Sequence, residues 1–165
     1  MTGVSDPQAL PFLEILLRLL MAFACGAVIG LNREFHHKPA GFRTFGLVSI
    51  GSAIVVIVMH LEVHSGPDAV SRVIQGVLTG IGFLGAGVIF RREAPSKVSG
   101  LTTAAAVWLT AGLGIASGAG QYAVAAAGMV MGLVLLLLGG PFERLLTRNR
   151  KRPDDAQNGD SEDAP

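Results

Sequence analysis

The chain has 165 residues, of which 50% are hydrophobic and 15% charged, whereas a soluble domain carries roughly 25% charged residues. Positions 98–142 contain no Asp, Glu, Lys or Arg, which excludes a soluble surface there and leaves room for two membrane crossings of about 20 residues each. The single cysteine, Cys25, lies in an apolar run; it excludes an internal disulfide and is interpreted as a packing residue. The composition is that of an integral membrane protein.

Five apolar runs, each about as long as a membrane crossing, predict an all-α polytopic protein with a bundle of five transmembrane helices. Helices are expected because a backbone in hydrocarbon must satisfy its own hydrogen bonds, and the runs lack the alternation of barrel strands. Residues 1–11 carry no Lys or Arg, so the first run is expected to remain as a span rather than be cleaved as a signal peptide. The expected spans are 12–31, 45–63, 70–90, 101–118 and 122–140.

The runs also predict a domain organisation and an orientation. We expect a short extracytoplasmic segment at 1–11, a transmembrane domain at 12–147 and a disordered cytoplasmic tail at 148–165. Basic residues are retained on the cytoplasmic side, and all but two of the 13 Lys and Arg lie in the first gap, the third gap and the stretch after the fifth span. This pattern predicts an outside N-terminus and a cytoplasmic C-terminus. The basic part of the tail either rests near anionic headgroups or acts only as an orientation signal.

The first span contains two charged residues, Glu14 and Arg18. They are four residues apart, in the order that favours a helical ion pair. An arginine inside a span is costly unless it faces protein or water or reaches the membrane surface. Arg18 is therefore a candidate functional residue, with a purely structural role as the alternative.

The first gap is the densest polar cluster of the chain. Its candidate functional side chains are Asn32, Arg33, Glu34, Arg43 and Thr44. An orientation signal needs the positive charges but not Glu34, which could bridge Arg33, Lys38 or Arg43. Arg43 and Thr44 open the second span, where the Thr44 hydroxyl could bind free backbone amides.

The second gap and the start of the third span hold further polar candidates. His60, Glu62, His64 and Asp68 are residue types that bind divalent cations, but their spacing favours a metal site only weakly and none is assigned. Arg72 and Gln75 follow in the third span, and Arg72 could pair with Glu62 or Asp68. Functional and structural interpretations of Arg72 and Gln75 both stay open.

Glycines recur at four-residue spacing in four of the five spans, which places each pair on one helix face and allows close approach of backbones. The packing candidates are Gly26, Gly30, Gly76, Gly80, Gly82, Gly85 and Gly87, with further pairs at Gly114 and Gly118 and at Gly128 and Gly132. Gly80, Gly82 and Gly85 match a dinucleotide fingerprint, which we reject because no strand precedes it. Packing within the bundle is the preferred interpretation, and homodimerisation is the alternative.

The fourth span begins with Thr102 and Thr103, which are interpreted as helix-capping residues or donors to backbone carbonyls. Trp108 lies inside the span and is expected at a helix contact, whereas Tyr122 suits the membrane interface. No nucleophile and base pair, phosphate loop or metal cage emerges from the sequence. We therefore expect a protein that is not an enzyme, has no cofactor and does not bind nucleic acid.

Four segments of the sequence are distinctive in their order and spacing: GAVIGLNRE at 26–34, PAGFRT at 39–44, GIGFLGAGVI at 80–89 and GLTTAAAVW at 100–108. They resemble the MgtC/SapB family of bacterial inner-membrane proteins over residues 12–140. The resemblance implies a five-helix membrane domain and a link to growth in low magnesium. For the MgtC branch it implies survival of pathogens inside macrophages, an influence on membrane potential and restraint of the proton-translocating ATP synthase.

By position, the resemblance places the family's polar motifs on Asn32, Arg33 and Glu34, on Arg43 and Thr44, and on Arg72 and Gln75. Two features depart from the family pattern. Asn32 stands where the family usually has an acidic residue. A short polar tail follows the fifth span where MgtC typically carries a soluble domain, which implies a shorter, SapB-like member.

The leading hypothesis is a non-enzymatic regulatory protein of the bacterial inner membrane. Its expected partners are membrane lipid and the membrane sector of the ATP synthase or another membrane protein. One alternative is an ion or small-solute transporter whose path passes Arg18, Glu34, Arg72 and Gln75. The other is a homo-oligomeric membrane scaffold.

Overall fold

The computed structural model describes residues 10–61, 67–89 and 100–148, and these ranges contain five α-helices. The helices are α1 (Phe12–Phe35), α2 (Phe42–Leu61), α3 (Pro67–Ile89), α4 (Leu101–Gly118) and α5 (Tyr122–Arg148). Each contains a segment long and apolar enough to cross a membrane, and no β-strand occurs in the described ranges. Within these ranges, the expectation of an all-α structure with five helices able to span a membrane is confirmed.

Several helices extend past the apolar runs that predicted them. α1 continues to Phe35, α2 already begins at Phe42, and α5 runs through Pro141 to Arg148, whereas α4 has the predicted bounds. Hydropathy marks only the part of a helix suited to hydrocarbon, while backbone hydrogen bonding continues into the polar ends. Most of segment 1–11 and of tail 148–165 lies outside the described residues.

Helices α1, α2 and α4 form a tightly packed core. A Cβ built at Gly26 would lie 2.6 Å from the Phe45 carbonyl oxygen of α2, and one at Gly118 would lie 2.6 Å from the Ala53 carbonyl oxygen. A Cβ at Gly114 would overlap the carbonyl oxygen of Ser49. Small residues thus bring α2 into backbone contact with both α1 and α4, because close approach is what binds helices in lipid. The larger side chains that fill this core are Ile29, Phe45, Val107 and Leu113.

The chain divides into two units, the first ending at Leu133 and the second beginning at Val134. In the first unit, Gly128 of α5 lies against Leu113 of α4, and the Cys25 Sγ lies 4.0 Å from the carbonyl oxygen of Ala125. Cys25 is buried, as expected for a packing residue. The second unit continues α5 as an apolar helix on which Leu135 and Leu138 are exposed.

Two expectations about packing are corrected. Among the described residues, no atom lies within 4 Å of a Cβ built at Gly76, Gly80, Gly82 or Gly87, and in α3 only Gly85 is buried, against Ala104 of α4. Trp108 is 54% exposed rather than enclosed by helices. The spacing of small residues shows which of them share a face, but tertiary packing decides whether that face meets a neighbour.

Candidate functional site

Polar side chains gather at two places that are about 22 Å apart along α1. The Arg18 cluster comprises Glu14, Arg18, Gly118, Gly120 and Tyr122. The hairpin cluster comprises Arg33, Glu34, Ala40, Gly41, Phe42 and Thr103. Both clusters belong to the first unit of the chain.

In the Arg18 cluster, hydrogen bonds of Arg18 and Glu14 join three helices. Arg18 Nε donates to Glu14 Oε1 at 2.9 Å, which confirms the predicted ion pair, and Arg18 Nη1 donates to the Gly118 carbonyl oxygen at 2.8 Å. The Tyr122 hydroxyl donates to the same Glu14 oxygen at 2.8 Å. The Arg18 side chain is 11% exposed, so these bonds replace the water that the charge has lost.

The local sequence at the end of α4 makes room for Arg18. The Gly120 N–H bonds the Ser117 carbonyl and the Gln121 N–H bonds the Ala116 carbonyl, the pattern of a Schellman C-terminus with Gly120 at a φ of +73°. A Cβ at Gly120 would lie 3.0 Å from Arg18 Nη2. The guanidinium therefore sits at the negative end of the α4 dipole and satisfies one of its free carbonyls.

In the hairpin cluster, Arg33 is a nearly enclosed cation at the end of α1. The residue is 5% exposed, and its Nη2 donates to Thr103 Oγ1 of α4 at 2.7 Å. Its Nε is buried and has no hydrogen-bond partner among the described residues. Thr103 is 1% exposed, and the N-cap of α4 is Gly100 with no side-chain cap hydrogen bond, so the capping role expected for Thr103 is not observed.

The exposed Glu34 side chain forms a hydrogen bond across the connection between α1 and α2. Its Oε2 accepts the backbone N–H of Phe42 at 3.0 Å, and a Cβ at Gly41 would lie 2.7 Å from that oxygen. No described Lys or Arg nitrogen lies within 4.0 Å of the Glu34 carboxylate, so the expected bridge to Arg33, Lys38 or Arg43 is corrected. The carboxylate caps the first turn of α2, a role predicted for the exposed Thr44.

Two non-glycine residues in this connection adopt a left-handed backbone conformation. His37 has a φ of +51° and Ala40 a φ of +67°. The His37 N–H bonds the Glu34 carbonyl and the Lys38 N–H bonds the Arg33 carbonyl, both at 3.0 Å. Such conformations cost free energy and persist only where surrounding contacts enforce them. The connection is thus a fixed hairpin that presents the exposed Arg43 and Thr44.

The Ala40→Gly variant is expected to be more stable than the native chain. Glycine relieves the left-handed strain of roughly 1–2 kcal/mol, and its greater freedom in the unfolded chain offsets part of that, which leaves a gain of about 0.5–1 kcal/mol. Thermal unfolding in detergent would show a higher Tm. The control is Ala105→Gly, at an exposed helical position of α4, which should lower stability by about 0.5–1 kcal/mol. A lower Tm in both variants would contradict a strained backbone at Ala40.

The remaining candidates from the sequence lie apart from these clusters or contribute only their backbone. Asn32 is half-buried, and its carbonyl oxygen accepts a hydrogen bond from His36 Nδ1 at 2.7 Å. Arg72 and Gln75 are exposed on α3. Arg72 and Asp68 form no ion pair, and the other predicted partner of Arg72, Glu62, lies outside the described residues.

Sequence reasoning missed the partners of both buried arginines. Thr103 is 70 residues from Arg33, and Gly118 is 100 residues from Arg18, so no local spacing links them. Ser49 of α2 is buried, and its hydroxyl has no partner among the described residues. Within the described ranges, no group of three His, Cys, Asp or Glu residues is placed to hold a metal ion.

Comparisons with known proteins give the chain's relatives. The MgtC family model matches residues 19–145. Protein SrpB of Synechococcus elongatus is 46% identical over 144 residues, which cover 81% of this chain and 78% of SrpB. The putative magnesium transporter YhiD of Escherichia coli K12 is 42% identical over 132 residues, 74% of this chain and 59% of YhiD.

Protein MgtC of Salmonella typhimurium LT2 is 40% identical over 116 residues, 70% of this chain. The match spans 48% of that MgtC, about half its length. No solved structure matches the chain. The family model covers the hairpin cluster and, of the Arg18 cluster, Gly118, Gly120 and Tyr122, whereas Glu14 and Arg18 precede the matched range. The identity to SrpB extends over most of both chains. This chain belongs to the MgtC family.

Proposed function

We propose that this chain is a non-enzymatic regulatory protein of the bacterial inner membrane that acts by docking onto another membrane complex. Family membership supports a role in growth under magnesium limitation, with a contribution to virulence as in the branch named for MgtC. The family resemblance supports the membrane sector of the proton-translocating ATP synthase as the partner. Membrane lipid surrounds the remaining faces.

The observation that carries this proposal is the fixed hairpin between α1 and α2. Glu34, Gly41 and the left-handed Ala40 hold it in one conformation, while the side chains of Arg43 and Thr44 remain exposed. A preorganised polar surface binds a partner without losing conformational freedom on binding. Backbone strain enforced by surrounding contacts is typical of functional surfaces.

The proposed orientation places this hairpin in the cytoplasm. Arg33, Lys38 and Arg43 make the connection basic, and basic connections are retained on the cytoplasmic side. A cysteine introduced at exposed His36 should react with a membrane-impermeant thiol reagent in inverted vesicles and not in intact spheroplasts. Labelling in spheroplasts instead would reverse the proposed orientation.

The docking proposal is tested by affinity purification from detergent extracts of magnesium-starved cells. The native chain should enrich the ATP synthase membrane sector over an unrelated membrane protein, and Arg43→Gln should reduce that enrichment severalfold. Arg43→Lys is the matched control, since it keeps the charge on an exposed position. Equal enrichment with the unrelated bait, or full enrichment with Arg43→Gln, would refute docking through the hairpin.

The second candidate function is transport of an ion or small solute. It is favoured by the 42% identity to YhiD, whose name describes a putative magnesium transporter, and by the charged clusters at both ends of α1. Proteoliposomes that hold the purified chain would be assayed for flux of magnesium, sodium and protons. Flux that is lost in Glu34→Gln, a variant that keeps a side-chain acceptor for the Phe42 amide, would establish transport over docking.

A further inference from the structure

One face of α3 combines polar side chains with glycines and lies exposed in the described structure. Its members recur at three- and four-residue spacing: Asp68, Ser71, Arg72, Gln75, Gly76, Thr79, Gly80, Phe83 and Gly87. The opposite face carries Ile74, Val77, Leu78 and Ile81, which are partly covered. α3 therefore turns its apolar side toward its own bundle and its polar side outward.

This arrangement is the reverse of what lipid contact favours. Gln75 lies about 12 Å and Thr79 about 18 Å along the helix from Pro67, so Thr79 sits near the middle of a hydrocarbon core about 30 Å thick. Polar groups at that depth are costly unless they are hydrogen-bonded. Neither side chain donates or accepts a hydrogen bond within the described ranges. Another protein surface or water must therefore cover the face.

We propose that this face of α3 pairs with the same face of a second copy of the chain, around a twofold axis along the membrane normal. Such an axis places each residue opposite its own counterpart at equal depth. An amide and a hydroxyl each both donate and accept, so Gln75 and Thr79 can each bond to the identical residue of the other copy.

Charge and shape complete the self-complementarity. Asp68 and Arg72 are opposite charges one helical turn apart, so Asp68 of one copy can pair with Arg72 of the other near the membrane surface. No described atom lies within 4 Å of a Cβ built at Gly76 or Gly80, which leaves room for a second backbone to approach closely. The pairing uses α3 and leaves the hairpin between α1 and α2 free, so it is independent of the proposed docking.

Disulfide cross-linking in native membranes tests the proposal. In a Cys25→Ala background, Thr79→Cys and Gln75→Cys should each give a covalent product of twice the chain's mass when a membrane-permeant oxidant is added. The matched controls are Leu78→Cys on the covered side of α3 and Val58→Cys on α2, where Val58 is 51% exposed. Neither control should form the product.

A packing variant makes the test sharper. Gly80→Leu introduced into Gln75→Cys should reduce the cross-linked fraction at least severalfold, because the larger side chain blocks the approach of the second copy. Gly112→Leu is the matched control, since a Cβ built there likewise meets no described atom within 4 Å, and it should leave the fraction unchanged. Rapid modification of Thr79→Cys by an impermeant thiol reagent without cross-linking would mean that the face lines water. A conjugate with another protein, or no reaction at all, would equally overturn the pairing.

Discussion

Replacing Thr103 with valine is expected to lower the free energy of unfolding by about 1.5–3 kcal/mol, the range for hydrogen bonds to charged groups. Valine keeps the branched shape of threonine and removes the hydroxyl that binds Arg33 Nη2 at 2.7 Å. The Arg33 guanidinium is almost fully enclosed and its Nε already has no described partner. The variant therefore leaves a buried charge without a side-chain acceptor among the described residues.

Thr102 supplies the matched control for this variant. It is the preceding residue in the same turn of α4, but its side chain is exposed, so Thr102→Val should change stability by less than about 0.5 kcal/mol. Unfolding would be followed by circular dichroism during titration with a denaturing detergent. The double variant Arg33→Met with Thr103→Val should recover most of the loss, since it removes the charge and its partner together. Equal losses for Thr102→Val and Thr103→Val would contradict a specific role of the Thr103 hydroxyl.

Gly114→Ala is expected to destabilise the chain by about 1–3 kcal/mol, the usual cost of overpacking. The added methyl would overlap the backbone carbonyl of Ser49 and lie 2.9 Å from the Ser52 Cβ. A backbone cannot rotate aside as a flexible side chain can, so α2 and α4 must separate. Separation would also loosen the contacts of α1 with α2, because the three helices share one core.

Gly112 lies in the same helix, yet nothing lies within 4 Å of a Cβ built there. Gly112→Ala should therefore keep full stability or gain up to about 1 kcal/mol, because alanine favours helix more than glycine does. Thermal unfolding of the two variants in one detergent gives the comparison directly. If Gly114→Ala were as stable as Gly112→Ala, the close approach of α2 and α4 would be wrong.

Sequence predicted the helices well because membrane spans follow from a single physical requirement. An uninterrupted apolar run must be helical to satisfy its backbone in hydrocarbon, and all five runs are helices. The ion pair of Glu14 with Arg18 was equally predictable, since residues four apart on a helix lie side by side. Helix ends were harder to predict, because backbone hydrogen bonding continues beyond the apolar segment.

The parts of the site that join distant helices were not predictable from one sequence. Arg33 was a functional candidate and a cation of the orientation signal, but only the position of α4 beside α1 makes it a buried group held by Thr103. The glycines of α3 and α4 likewise have the same spacing, yet Gly114 lies against backbone and Gly80 against open space. The spacing of residues shows which of them share a helix face, and only the tertiary structure shows what packs against that face.

The close contact between α2 and α4 passes over α3 in chain order, and this has a consequence for biosynthesis. α1 and α2 can pair as soon as both are inserted, but the surface of α2 that presents the carbonyl oxygens of Ser49 and Ala53 to α4 stays uncovered until α4 has been made. At a protein synthesis rate of about 5–20 residues per second, the interval between completion of α2 and of α4 lasts several seconds. During it, α3 is already in the membrane and must not occupy the place of α4. The outward-facing polar side of α3 opposes such a misplacement, since only its apolar side suits the bundle, and it thereby helps to order assembly in time.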